Sequence, residues 1–187
     1  SPLVHEQVEK GELPPIEERL PKEPAVVEVD DIGVYGGTYV GAAFGPSSGQ
    51  VDTEGLRFQS LLTIEKDLKT FKPNLIQAYE INEDSTQFTI HLREGMKWSN
   101  GDELTTDDWM FWYNDVLTNT DVNPSVDAAY CSNGKPMIYE QVDPYTLNIK
   151  FEEPNPAFEI TMARYSTGII RSFFAPKEYL KQWHKTY

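Results

Sequence analysis

Three histidines, one cysteine and several paired carboxylates are the residues of this chain suited to catalysis or metal binding. A zinc site needs His or Cys at short ligand spacings, and nucleophilic catalysis needs a nucleophile within reach of a base. His5, His91 and His184 lie in three separate segments, and none stands beside a Cys or another His at such a spacing. His91 alternates with apolar residues in a run of strand character, which predicts a solvated or edge position. Neither a G-x-S-x-G elbow nor a phosphate-binding glycine loop is present, so the sequence calls for no cofactor and no metal. Cys131 is alone, so no intrachain disulfide can form, and it reads as a buried, inert thiol.

The carboxylate pairs Asp107-Asp108 and Glu152-Glu153 raise glycoside hydrolysis, which needs two opposed carboxyl groups. Neighbours on a strand point to opposite faces, and aspartates opening a helix already have a capping role. Asp121, Asn123, Ser125 and Asp127 echo the alternating oxygens of a calcium loop, but Val126 holds the glycine position and Ser132 the final glutamate position. Both catalytic and calcium readings are set aside.

The elements around these residues are legible. At 187 residues the chain can bury a core, and 16 basic against 30 acidic residues give a net charge of −14. That field repels phosphate backbones and anionic membranes, which argues against nucleic-acid or headgroup binding. No apolar run is long enough to span a bilayer, and Ser1-Pro2-Leu3 does not open a signal peptide, so an exported form would have lost its signal. Residues 1–35 read as an N-terminal arm, rich in proline and acid, with a short helix over Leu3–Lys10. Gly36–Val40 has strand character and Gly41–Gly49 must be a loop. A short helix is expected over Glu54–Leu62, then an extended lead from Phe71 into Ile76–Ile81. Asn82–Ser85 turns the chain into a strand with Phe88, Ile90 and Leu92 on one face. Asn100-Gly101 is a tight-turn signal, and a helix follows Leu104 with Thr105 as cap and Asp108 closing a capping box. Its stripe of Trp109, Trp112, Tyr113, Val116 and Leu117 reads as core. After an irregular stretch, a strand spans Tyr145–Phe151, and short helices run from Ala157 toward Met162 and over Pro176–Lys185.

The segment Phe88–Trp109 (FTIHLREGMKWSNGDELTTDDW) resembles the signature of family 5 extracellular solute-binding proteins, which include dipeptide- and oligopeptide-binding proteins. Companions stand in order around it: Ser60-Leu61-Leu62, Lys72-Pro73-Asn74-Leu75 with Tyr79-Glu80, Val142–Leu147, and Glu153–Phe158. Leu13–Pro21 (LPPIEERLP) resembles the opening of one branch of the family. The resemblance implies an α/β fold, a mixed sheet with flanking helices, forming the N-terminal part of lobe one of a two-lobe periplasmic-binding-protein-like clamshell. Residues 36–187 would then be a partial lobe one with its inserted subdomain, and the second lobe would lie outside this chain. It implies a monomeric, non-catalytic protein, periplasmic or lipoprotein-anchored on the outer face of the membrane. Its partners would be a small solute, peptide or oligosaccharide, and the permease of an ABC importer. The alternatives are a carbohydrate-active enzyme domain and a stand-alone extracellular interaction domain. Trp98, Gly101, Thr105 and Asp108 would be scaffold. Ligand contacts are expected in the loop after the first strand, at Phe44, Ser47, Ser48 and Gly49, and at Tyr130 after the long helix. A plain surface-connector role is the alternative for each.

Overall fold

The computed structural model describes residues 2–38, 40–41, 58–164 and 172–187. The arm carries two short helices, α1 (Pro2–Glu9) and α2 (Ile16–Arg19). Two small strands follow, β1 (Leu62–Ile64) and β2 (Phe71–Pro73), paired antiparallel. A four-stranded sheet is built from β3 (Ala78–Ile81), β4 (Gln87–His91), β7 (Ile138–Asp143) and β8 (Thr146–Lys150), in the order β3-β4-β8-β7. Between its halves run helix α3 (Thr106–Phe111), a 3-10 turn at Ala128–Tyr130, and the pair β5 (Cys131–Ser132) and β6 (Lys135–Pro136). Helices α4 (Phe158–Ala163) and α5 (Lys177–Leu180) close the order, α5 running into a 3-10 turn at Lys181–Trp183.

The expected α/β architecture with flanking helices is present, but every strand pair among the described residues is antiparallel. Short connections explain this for every pair but β4–β8, because a parallel pair needs a crossover of a dozen or more residues. The β3–β4 turn is held by Asn82 and Asp84, whose side chains accept the Gln87 N–H at 2.8 Å and the Thr86 N–H at 3.1 Å. One sheet face is then apolar: Phe88, Ile90, Leu147 and Ile149 are fully buried, while Thr89, Asn148 and Lys150 face outward. Helix α3 and the turn that continues it lay Trp109 and Trp112 over Tyr139 of β7, at ring separations of 6.1 and 5.9 Å. Phe158 and Met162 of α4 seal the other end.

Four expectations need correction. Gly36–Val40 makes no strand in its described residues, where Val40 is exposed, because a strand exists only through pairing and no strand of the described residues pairs with it. Residues 58–61 are not helical and Leu62 opens β1; the rest of the helix expected over 54–62 lies outside the described residues. His91 is half-buried but sits on β4, an inner strand, not at an edge. Cys131 is half-buried and not buried as expected; burial first and Asp127 second push its thiol pKa up, which disfavours the reactive thiolate. The long helix also changes character: Trp112–Leu117 is a π segment, continued by the Thr118 N–H bonding the Tyr113 carbonyl at 3.0 Å.

The arm is strapped down at one stretch. Lys22 N–H donates to the Glu94 carbonyl at 3.0 Å, and Lys97 Nζ and Arg93 donate to the carbonyls of Glu18 and Glu23, both at 2.9 Å. The turn that follows this loop depends on one glycine. Gly101 has φ +93 and donates to the Trp98 carbonyl at 2.9 Å, and an added Cβ would meet nothing within 4 Å. Gly101→Ala should therefore cost about 1 kcal/mol through backbone conformation alone. Chemical denaturation of the variant checks this, and a loss several times larger would mean that the turn packs against something.

Candidate ligand-facing region

Each histidine has a structural partner. His5 pairs with Glu9 at 3.3 Å on α1, His91 lies 3.9 Å from Glu80, and His184 Nε2 sits 3.3 Å from the Asp115 carbonyl. The calcium-like run is used otherwise: Asn123 is buried and donates to the Leu117 carbonyl at 2.8 Å, and Asp127 caps the 3-10 turn by accepting the Ala129 N–H at 3.0 Å. Among the described residues no group of three His, Cys, Asp or Glu could hold a metal ion. Glu152 is paired with Lys135.

The aspartates at the start of α3 divide their work. Thr105 and Asp108 form the expected capping box, with the Thr105 N–H donating to Asp108 Oδ2 at 3.1 Å. The structure adds a contact that sequence spacing does not contain: Asp108 Oδ1 accepts the Lys177 N–H at 2.9 Å, and its carbonyl accepts the Ala175 N–H at 3.2 Å. Asp108 thus joins the helix start to the segment entering α5. Asp107 instead accepts from Gln141 at 2.8 Å and pairs with Lys177 at 3.4 Å.

These bonds set the acid response. Asp107 is held below the usual carboxylate range, first by Gln141 and then by Lys177; Asp143 by the Tyr145 N–H; and Asp67 is drawn down to about 2 by the Thr70 hydroxyl. Their folded pKa values lie below the unfolded ones, so each contribution is whole above about pH 4 and is lost as pH falls through the folded value. Stability should stay flat from neutral pH to about pH 5 and decline below about pH 4. Denaturation midpoints measured against pH check this, and Asp107→Asn should flatten part of the decline. A loss of stability already between pH 7 and 5 would contradict it.

Of the residues expected to meet ligand, Phe44, Ser47, Ser48 and Gly49 lie outside the described residues. Tyr130 is 1% exposed, with its ring 5.6 Å from both Trp112 and Phe173. It is a packing residue in this structure, and its side chain presents no surface to a cleft. Among the described residues an apolar groove of about 410 Å³ runs between Leu61, Trp98, Phe174 and Tyr179. Sequence reading did not find it, because its walls come from four separated segments and no local pattern unites them. No helix among the described residues is long and apolar enough to cross a membrane.

The profile of the bacterial extracellular solute-binding proteins, family 5 Middle, matches residues 70–186. A periplasmic alpha-galactoside-binding protein of Rhizobium meliloti (strain 1021) is 32% identical over 96% of this chain and 28% of its own length. A solved oligopeptide-binding protein, OppA, superposes over 100% of this chain and 28% of its own, at TM-score 0.82 and 34% identity. The periplasmic binding protein MelB from agrobacterium fabrum C58, in complex with stachyose, covers 96% of this chain and 29% of its own, at TM-score 0.69 and 30% identity. The chain thus spans little more than a quarter of the length of each of these proteins.

Proposed function

Because this chain belongs to the bacterial extracellular solute-binding proteins of family 5, we propose that the full-length protein captures a small solute outside the cytoplasm and passes it to the permease of an ABC importer. Capture is non-catalytic: two lobes enclose the solute, and its contacts to both favour the closed state that the permease reads. The observation that carries this reading is the match over residues 70–186, together with the scaffold roles of its conspicuous residues. Trp98 packs, Gly101 turns and Asp108 clasps, so this part of the family pattern supports a framework and not a reaction.

For the ligand we take an α-galactosidic oligosaccharide first. Similarity to the alpha-galactoside-binding protein and to the stachyose complex each runs through 96% of the chain. A peptide is the second reading, favoured by the OppA likeness at TM-score 0.82. Ligand binding raises the melting temperature in proportion to its preference for the folded state, so thermal melts of the full-length protein with stachyose, and separately with mixed short peptides, distinguish the two. A rise with stachyose alone supports the first reading and a rise with peptides alone the second. Turnover of either compound would sink non-catalytic capture.

The loop Gly41–Gly49 remains the proposed ligand-facing wall in this chain, with Phe44, Ser47, Ser48 and Gly49 as its contacts. Glycine and serine let backbone approach a ligand closely and offer hydroxyl partners. In the full-length protein, Ser47→Ala combined with Ser48→Ala should weaken binding by about ten-fold, the loss of one or two hydrogen bonds, with little change in melting. Unchanged affinity would return the loop to a connector.

A further inference from the structure

The first part of the arm, Pro2–Glu23, is held to the body of the fold by polar contacts. Its backbone crosses the loop after β4 at Gly95, where an added Cβ would stand 3.7 Å from both Pro21 Cα and Lys22 N. Around that crossing lie the Lys22–Glu94 ion pair, the Lys22 N–H bond to the Glu94 carbonyl, and the bonds from Lys97 Nζ and Arg93 to the carbonyls of Glu18 and Glu23. Gln77 Nε2 also donates to the Glu23 carboxylate at 2.6 Å. The two segments are complementary in charge: residues 17–23 carry Glu17, Glu18, Arg19, Lys22 and Glu23, net −1, and residues 93–97 carry Arg93, Glu94 and Lys97, net +1. From Val4 to Tyr35 no residue is buried, and none packs on the core. Beyond Glu23 the chain runs on exposed, Val26, Val27 and Val29 included, with Asp30 meeting Lys66 at 3.3 Å between two exposed side chains.

We propose that Pro2–Glu23 is an ionic latch: it leaves the loop Arg93–Lys97 as a unit when ionic strength rises and returns when it falls, while the sheet, α3 and the loop itself stay folded. Three features select this motion. An exposed ion pair and charged hydrogen bonds hold the arm, and these are what salt screens, whereas the apolar burial that holds the body is not weakened in that way. The loop keeps its own bonds without the arm, since the Leu104 N–H donates to the Met96 carbonyl and the Trp98 N–H to the Asp102 carbonyl, both at 2.8 Å. The exposed stretch after Glu23 supplies a hinge with no core contact to break. Opening uncovers Arg93, which keeps its bond to the Asn74 carbonyl at 3.3 Å. The chain belongs to a family of extracellular proteins, and outside the cell ionic strength follows the surrounding medium. The latch rests on neither the ligand nor the lobe closure proposed above.

The test is amide hydrogen exchange of the full-length protein from about 0.1 M to about 1 M sodium chloride, over which the screening length falls from about 10 to about 3 Å. Three amides read three parts: Lys22 the latch, Leu104 the loop, and Leu92, bonded to the Tyr145 carbonyl at 2.8 Å, the sheet. Lys22 should be protected at low salt, relative to the unfolded chain, and lose about five-fold of that protection at high salt while Leu104 and Leu92 keep theirs. Glu94→Gln removes the ion pair and keeps the backbone carbonyl, so it should lower Lys22 protection about five-fold at low salt and blunt the salt response. An unprotected Lys22 at low salt would mean an arm that is never latched, and protection equal to that of Leu92 an arm that opens only on unfolding. Loss at Leu104 together with Lys22 would mean that the loop moves and not the arm. Each of these overturns the proposal, as does Lys22 protection indifferent to salt. The salt series on the unmodified protein decides the matter even where the variant does not fold.

Discussion

Replacing Trp109 by alanine is expected to remove about 3–5 kcal/mol of folding stability. The ring is fully buried, stacks on Phe174 at 5.2 Å, and stands 6.1 and 6.2 Å from Tyr139 and Phe173. It therefore touches helix, sheet and the segment leading to α5 together. Its indole N–H has no acceptor among the described residues, so the loss comes from packing and the cavity left behind, not from a broken hydrogen bond. Domains are stable by only about 5–15 kcal/mol, which places the variant near the folding threshold. Trp98→Ala should cost less, since that ring is half-buried and sits at the groove. Urea denaturation of both variants reads the order, and a Trp109→Ala loss below about 1 kcal/mol would remove that ring from the core.

Asp108→Ala carries the second large effect, about 2–4 kcal/mol. The lower part of that range is the lost cap; the remainder is the Lys177 N–H left without its acceptor at a site where Asp108 is 6% exposed. Asp108→Asn separates the two parts, because its amide oxygen can still accept one of the two backbone donors. Stability between wild type and Asp108→Ala is expected for it. Any Asp108 variant that folds in the full-length protein should keep its ligand preference, since the side chain is spent on the scaffold. A changed preference with unchanged melting would place Asp108 in the site instead.

The same two residues show what the sequence made legible. Trp109 announced itself through helical spacing, and Asp108 through its distance of three residues from Thr105, because both signals are local. The β3–β4 hairpin was equally clear, since alternation of Phe88, Ile90 and Leu92 and the turn at Asn82–Ser85 lie within a dozen residues. Strand β7 was not read: only Tyr139 is buried along it, while Ile138 and Val142 are exposed at 54% and 56%, so it lacks the alternation that marks a half-buried strand. The π segment at Trp112–Leu117 left no mark either, because it keeps the apolar stripe facing the core while its hydrogen bonding shifts by one residue. The Asp108–Lys177 clasp and the groove join residues far apart in the chain, and no spacing rule reaches across that distance. For the ligand site, resemblance pointed to Gly41–Gly49, and composition alone said only that this stretch is a loop.

Calorimetric titration of two proteins tests solute capture most directly: the full-length protein and the 187-residue chain, each with stachyose and with mixed short peptides. Enclosure by two lobes predicts saturable heat from the full-length protein with one of these ligands, and none from the shorter chain. Saturable binding of equal strength by both would contradict the two-lobe account, and no binding by the full-length protein to either ligand class would contradict the capture assigned to it.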